Sequence, residues 1–432
     1  MADEDLLQKI HGLGDLDLAA LLCLINREHC IISTEPEALD DLVDELQLVA
    51  TETFNLKPTV VSLRPQSTLD DFAASILLPT PASRSSSPLR TRTPVSDSYF
   101  HPSHASLHPG GGGGGTNTHH RTLSPLTQLS PGSAATPGGQ SSAYVPAPQI
   151  ANVVLARDLD KAPKAVQIQA LELLRTRRIF TRTSVQTAPK QFLFVAVLGA
   201  PSGGDARLTQ HLNDFFYVAH WHDPLDGFAH LEEREAALQE EDDDASLNAD
   251  ADVDTDSLRS DRSVVRRPSR TSRASTPGNE LLTPGSAAGR GITSYEGGAA
   301  EPVITEADIT TVSLASCSVS VDVDVLRYQM NLVSFLRMHH AVGGGVGPVA
   351  TQHLDALVRS MAVLHGLDYA TPALVALALR KVYLHRIRII RDPAVERSVQ
   401  WGSDVAAVER MLEGVGPEEV MDDVLEMVDV PL

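Results

Sequence analysis

The side chains that most readily do metal or nucleophilic chemistry are spaced here in ways that bound what the chain can do. Histidines cluster at His101, His104 and His108, at His119-His120, at His220 and His222, and at His339-His340. The first two groups fall in Ser/Pro/Gly-rich text, where no scaffold fixes the ligand and supporting geometry a metal site needs, so they read as surface groups. His220 and His222 flank Trp221 on a predicted strand and share one face, but no third ligand accompanies them, and they read as structural. Cys23, Cys30 and Cys317 form no CxxC pair and are too few for a disulfide framework, which predicts a reducing compartment. The acidic block EEDDDASLNADADVDTD (240–256) lacks the central glycine and terminal glutamate of a calcium loop and reads as a solvated, self-repelling stretch. Its alternative role is self-association with the basic patch RSVVRRPSRTSR (262–273). Arg175, Arg177, Arg178 and Arg182 follow a predicted helix, where cations favour the C-terminal end of its dipole. Ser269 follows two arginines and a proline, and Ser87, Thr93, Ser124, Ser130, Thr136, Thr276 and Thr283 each precede proline, the pattern of phosphorylation sites.

Composition narrows the class further. The 432 residues carry 35 Lys+Arg against 56 Asp+Glu, a formal net charge of -21, so a bare phosphate backbone is repelled and general nucleic-acid binding is disfavoured. The acidic start MADEDLLQKI is unlike a basic leader, and no apolar run approaches the roughly 18 residues of a membrane span. These features predict a soluble protein of the cytoplasm or nucleus.

The elements that would position any site come in three blocks. In residues 1–78, apolar spacing predicts a helix over 15–27, a buried strand in HCIIST (29–34), a helix over 37–53 and a strand over 57–63. In 150–230, NVVLARD (152–158) reads as a strand, 164–178 as a helix, FLFVAVLGA (192–200) as a buried strand, 208–216 as a short helix and FYVAH (216–220) as another strand. Residues 305–390 are mostly helical, with periodic stretches over 321–338, 351–365 and 371–389, and 391–432 form a short helical tail. Between the blocks, 79–149 and 231–304 are Ser/Pro/Gly-rich or acidic text that cannot bury enough apolar surface to offset the entropy of ordering, and both are expected to be disordered. Strands separated by helices predict a parallel sheet covered on both faces. Neither strand-bearing block is large enough to make a sound core alone, so the two should share one sheet.

The segment VVLARDLDKAPKAVQIQALELLRTRRI (153–179) resembles the second nucleotide-binding motif of AAA+ ATPases of the magnesium chelatase subunit I and MoxR group. GVGPVATQHLDALVRSMAVLHGLDYATPALVALALRKVYLHRI (345–387) resembles that group's lid domain without a gap, through GLDYATP (366–372) to the closing HRI. HCIISTEPEALDDLVDELQLVA (29–50) then takes the place of the strand, phosphate loop and helix, and QFLFVAVLGAPSGG (191–204) that of the first-sensor strand. The long inserts are similar to those of chelatase-like proteins from fungi. The resemblance implies an α/β AAA+ core with a P-loop-type parallel sheet flanked by helices, plus an all-α lid, the core being assembled from 1–78 and 150–230. It also implies ATP and Mg²⁺ as cofactors if the family activity, ATP-driven insertion of Mg²⁺ into protoporphyrin IX, is retained.

A phosphate loop needs glycines so that backbone amides can point at the phosphates, a lysine to neutralise them, and a hydroxyl for magnesium. In this chain Asp40 stands where the resemblance places the lysine, with Asp41, Glu35 and Glu37 beside it and no glycine. Arg157 stands for the magnesium-organising acid, Gly199 for the first-sensor asparagine, Asp214 for the arginine finger and Val349 for the second-sensor arginine. Asp158 alone keeps useful character, as the acid that polarises water or, one residue out of register, as a metal ligand with Asp160. The expectation is a non-hydrolysing scaffold or regulatory module that works through protein partners or a homo-oligomeric ring. The alternatives are an active chelatase-type ATPase, and a helical partner-binding protein with a vestigial core.

Overall fold

A computed structural model describes residues 4–78, 149–181, 184–205, 207–249, 302–396 and 404–431, the stretch 240–249 by its backbone alone. The core of the expected linkers, 79–148 and 250–301, lies outside the described residues, as do the phosphorylation candidates and the basic patch, while the acidic block is described only to 249 and only as backbone.

Five strands form one parallel sheet: β1 (Cys30–Thr34), β2 (Pro58–Ser62), β3 (Val153–Arg157), β6 (Leu193–Gly199) and β7 (Val218–Trp221), in the order β2-β3-β6-β1-β7. Strands from 1–78 and 150–230 are therefore interleaved: β3 hydrogen-bonds β2 on one side and β6 on the other, and β1 sits between β6 and β7. Every residue of β1 and the first six of β6 are buried. Successive strand residues point to opposite faces, so such a run requires cover on both. Cover comes from α2 (Asp15–Asn26), α3 (Leu39–Leu48), α4 (Leu69–Ser75) and α5 (Lys164–Thr176), with α1 (Glu4–His11) beyond them. A small hairpin of β4 (Arg178–Phe180) and β5 (Val185–Thr187) follows α5, and α6 (Gln210–Asn213) is the short helix before β7.

Three predicted spans differ from the structure; one is the helix expected over 371–389, which stops at Tyr383, with Arg388–Ile389 forming a strand. The helix expected over 37–53 starts with a separate tight turn at Pro36–Ala38 and ends as a wide turn over Val49–Thr53. There the Thr53 hydroxyl donates to Asp17 at 2.7 Å, and the chain leaves through Asn55 with φ +50. The linker expected from 231 begins as helix α7 (Ala229–Ala249), anchored where the backbone N–H groups of His230 and Leu231 donate to the Glu45 carboxylate at 3.1 and 2.9 Å.

The C-terminal block contains α8 (Glu306–Ser318), α9 (Val323–Met338), α10 (Pro348–Leu364) and α11 (Pro372–Tyr383), with a two-strand ribbon of β8 (Val342–Gly344) and β9 (Arg388–Ile389). Thr305 opens α8 with a reciprocal cap to Asp308, and Thr371 with Pro372 opens α11. Both satisfy amides that a helix start leaves unpaired. α10 packs on α2, α8 and α11, and α11 packs on β7, so these helices close over the β7 edge of the sheet. The tail helices α12 (Val405–Leu412) and α13 (Pro417–Met427) follow, and α13 buries Val420, Met421 and Val424 against α9 and α11. Among the described residues no helix is long and apolar enough to cross a membrane.

Candidate functional site

In a parallel sheet, ligands are met beyond the C-terminal ends of the strands. There β1 ends at Thr34, whose hydroxyl donates to the carbonyl of His222 at 2.9 Å. The chain turns at once through Pro36–Ala38 into α3. Pro36 lies over the end of β6, so close that a Cβ on Gly199 would stand 3.2 Å from the Pro36 Cα. The space over β1 and β6, which a wide glycine loop would leave open, is filled by a proline ring. α3 opens with Asp40 and Asp41 in its first turn, acids that complement the helix dipole where a phosphate would otherwise do so.

The end of β3 completes this edge. Arg157 reaches across to form an ion pair with Asp40, 117 residues away in sequence. Its Nε also lies 3.5 Å from Asp158, whose other carboxylate oxygen takes Lys161 at 2.7 Å. Asp40, Arg157, Asp158 and Lys161 form a chain of alternating charge with no net surplus. Burial is partial, with the Asp40 side chain 70% exposed and that of Arg157 30%, so the pair adds little stability. Its effect is to occupy both groups. Asp158 is held in the left-handed region, φ +56, and both its oxygens serve cations of this chain, while Asp160 is exposed alongside.

These residues do not fit a triphosphate with magnesium. The turn has no glycine and packs on the sheet, and the cations at this edge, Arg157 and Lys161, are paired with acids of the chain. Asp40, Asp41, Glu35 and Glu37 would each repel a phosphate at 4 Å by about 1 to 4 kcal/mol. Among the described residues no group of three or more His, Cys, Asp or Glu side chains could hold a metal ion.

The other two expected positions lie elsewhere. Asp214 follows α6, and Val349 is in the first turn of α10; both line a separate cleft with Arg337, Arg386 and Arg388. Partial burial raises the Asp214 carboxyl above its usual range, against the pull of Arg386 and Arg388. Of the expected stations, the structure brings together Asp40, Arg157, Asp158 and Gly199 with the turn after β1, and it places Asp214 and Val349 apart from them. His220 and His222 are held by the chain itself: His220 Nδ1 is 2.9 Å from Lys381 Nζ, its buried Nε2 having no hydrogen-bond partner among the described residues, and His222 Nε2 is 3.0 Å from the Gly227 carbonyl. Arg177 is not part of an exposed stripe, since it donates to the Arg27 carbonyl at 2.6 Å and lies over the Phe192 ring.

One polar cluster had no separate signal in the sequence. Arg386, 2% exposed, donates to the Phe216 carbonyl and lies 2.6 Å from His353 Nδ1, with its Nε 3.2 Å from His385 Nε2. It joins the segment after α11 to the start of β7. The sequence marks Arg386 only as part of the HRI that closes the lid resemblance, with no hint that its side chain turns inward.

Comparison with known proteins agrees with this architecture. Residues 334–410 match the AAA lid domain. The crystal structure of a candidate ATPase from Cytophaga hutchinsonii is similar, with a TM-score of 0.53 and 12% sequence identity over 99% of this chain and 93% of that one. A full-length MCM homologue from Methanopyrus kandleri is more distant, with a TM-score of 0.37 and 9% identity over 88% of this chain and 57% of its own. No curated protein matches the sequence. The five-stranded parallel sheet flanked by helices, with an AAA lid domain over 334–410, gives the chain the α/β AAA+ fold.

Proposed function

We propose that this chain is a magnesium chelatase-like AAA+ module that does not hydrolyse ATP and acts as a scaffold or regulatory subunit, through assembly with protein partners or with copies of itself. The observation that carries the reading is the reversed ion pair. Where the resemblance places a lysine and an acid converging on phosphate and magnesium, Asp40 and Arg157 converge on each other. The scaffold persists around them, with β1 buried throughout and β3 and β6 buried up to their last residues, so the fold is kept while the seat is closed from within.

Assembly has support on the surface. The outer face of α9 exposes Val323, Leu326 and Met330, and Met338 follows at its end, 70% exposed. Contiguous exposed apolar side chains mark interaction surfaces more often than chance. Mass measurement of the full chain in solution, with and without Mg-ATP, tests the reading. The expected result is one distribution of masses in both conditions. A ring that forms only when nucleotide is added would contradict it.

A further inference from the structure

The cleft holding Asp214 and Val349 lies at the opposite edge of the sheet from the Asp40–Arg157 pair. Arg386 donates to the carbonyl of Phe216, two residues before β7 begins, and Tyr217 N–H donates to the His29 carbonyl at the start of β1. Asp40 and Arg157 stand at the other ends of the same parallel strands, farther off than the roughly 16 Å length of a five-residue strand, since β3 is also three strands across from β7.

The cleft encloses about 470 Å³, a volume in the range of small-molecule sites and generous for a bare ion. Three guanidinium groups line it, Arg337, Arg386 and Arg388, against one carboxylate, Asp214. Arg337 is oriented by its Nε, which donates to the Val346 carbonyl at 3.1 Å, and Arg388 lies over the backbone of Gly344. Arg386 is buried, yet its Nη1 has no hydrogen-bond partner among the described residues. The 17-residue helix α10 begins in the same cleft. Its N-cap, Gly347, provides no side-chain acceptor, and its first turn holds no acid, so the positive end of the dipole is uncompensated. The loop before it comes close because Gly345, at φ +103, has no Cβ; one would fall 1.8 Å from the Arg386 carbonyl oxygen. In a chain whose net charge is -21, a concave site with a cationic surplus is set apart from the rest of the molecule.

We propose that this cleft binds the phosphate group of a small phosphorylated ligand, with Arg337 and Arg388 as exposed clamps, Arg386 as the buried donor and the α10 N-terminus behind them. Guanidinium groups bind phosphate through paired, charge-assisted hydrogen bonds, and a helix start adds backbone donors. The site is independent of the nucleotide edge, so its behaviour does not depend on whether ATP binds near Asp40.

The test is calorimetric titration of the full chain with inorganic phosphate in magnesium-free buffer, followed by competition with AMP and with O-phosphoserine. Saturable phosphate binding is expected. Arg337→Gln and Arg388→Gln, both at exposed side chains, should each weaken it about tenfold, the effect of losing one charged hydrogen bond. Asp214→Asn should tighten it by removing the one opposing carboxylate, and Arg157→Gln, at the far edge, should leave it unchanged. Because Asp214→Asn predicts a gain, loss of fold cannot imitate it. Displacement of phosphate by AMP or by O-phosphoserine supports the proposal, and the tighter of the two identifies the kind of carrier. No saturable binding, binding that survives the Arg337→Gln/Arg388→Gln pair, or failure of both organic phosphates to compete would overturn it.

Discussion

Replacing Arg386 with alanine is expected to destabilise the full chain by about 3–5 kcal/mol, the cost typical of breaking a buried charged network by removing one partner. Two effects oppose each other. Burial is unfavourable for the guanidinium, as the fall of its pKa to about 10 shows, and deleting the charge relieves that cost. Deletion also leaves His353 Nδ1 facing a cavity in the interior, with the Phe216 carbonyl and His385 Nε2, 3.1 Å apart, left to pair with each other. Each unsatisfied buried group costs about 1–3 kcal/mol, and the lost side-chain volume adds a packing term, so the loss wins. Arg386→Lys should recover only part, because a single ammonium cannot present the planar fork that reaches all three acceptors. Urea unfolding is the measurement, read as a fall in midpoint at constant slope. A change below about 1 kcal/mol would mean that the segment after α11 is not tied to the sheet through this side chain.

Acid is expected to destabilise the protein steeply, because several histidines are buried in neutral form. Burial lowers His29 and His353 from 6.5 to about 3 and His220 to about 4, with the charges of Arg177, Arg386 and Lys381, respectively, acting in the same direction. His29 is 1% exposed, and its Nδ1 accepts the Phe194 N–H at 3.2 Å, a role the imidazolium cannot fill. A histidine with a depressed folded pKa binds fewer protons folded than unfolded. Its contribution is therefore complete above about pH 6.5 and is lost as pH falls toward the folded value. Glu28 acts the other way. Burial raises it from 4.5 to about 7, against Arg177 and Arg386, so the folded state gains as pH falls from 7 to 4.5. The three histidines outweigh the glutamate, and these four groups together lose on the order of 5 kcal/mol between pH 7 and 4.5. His29→Gln keeps an acceptor for the Phe194 amide without the titration, and unfolding curves across this range should show a shallower slope for it. An unchanged slope would remove His29 from the account.

Much of the fold is readable from local pattern, and the exceptions have physical causes. FLFVAVLGA announces a strand buried on both faces, and LDYATP announces the start of α11, because period and cap chemistry are local properties. The 37–53 stretch keeps helical spacing to its end, yet the helix yields at Val49–Thr53, where Thr53 is drawn into a buried hydrogen bond with Asp17, 36 residues away. The hairpin at 178–187 is concealed because RRIFTRT presents arginines, which read as a solvated helix end. At the candidate site, the identities of Asp40 and Arg157 are visible one at a time, and each suggests only a missing function. That they face each other depends on which strands become neighbours. Arg386 is the extreme case: its burial follows from the lid closing over β7, and no feature of HRIRII encodes it separately.

Equilibrium titration of the full chain with a fluorescent ATP analogue and Mg²⁺, with phosphate release followed in the same samples, tests the closed seat most directly. In a chain carrying Arg337→Gln/Arg388→Gln, which disables the separate phosphate cleft, no saturable binding in the micromolar range and no turnover are expected, and none is gained when Asp40→Lys/Arg157→Asp is added, since Pro36 would still cover the end of β6. Micromolar affinity with turnover in the natural protein, abolished when Asp158 is replaced by asparagine, would contradict a closed seat.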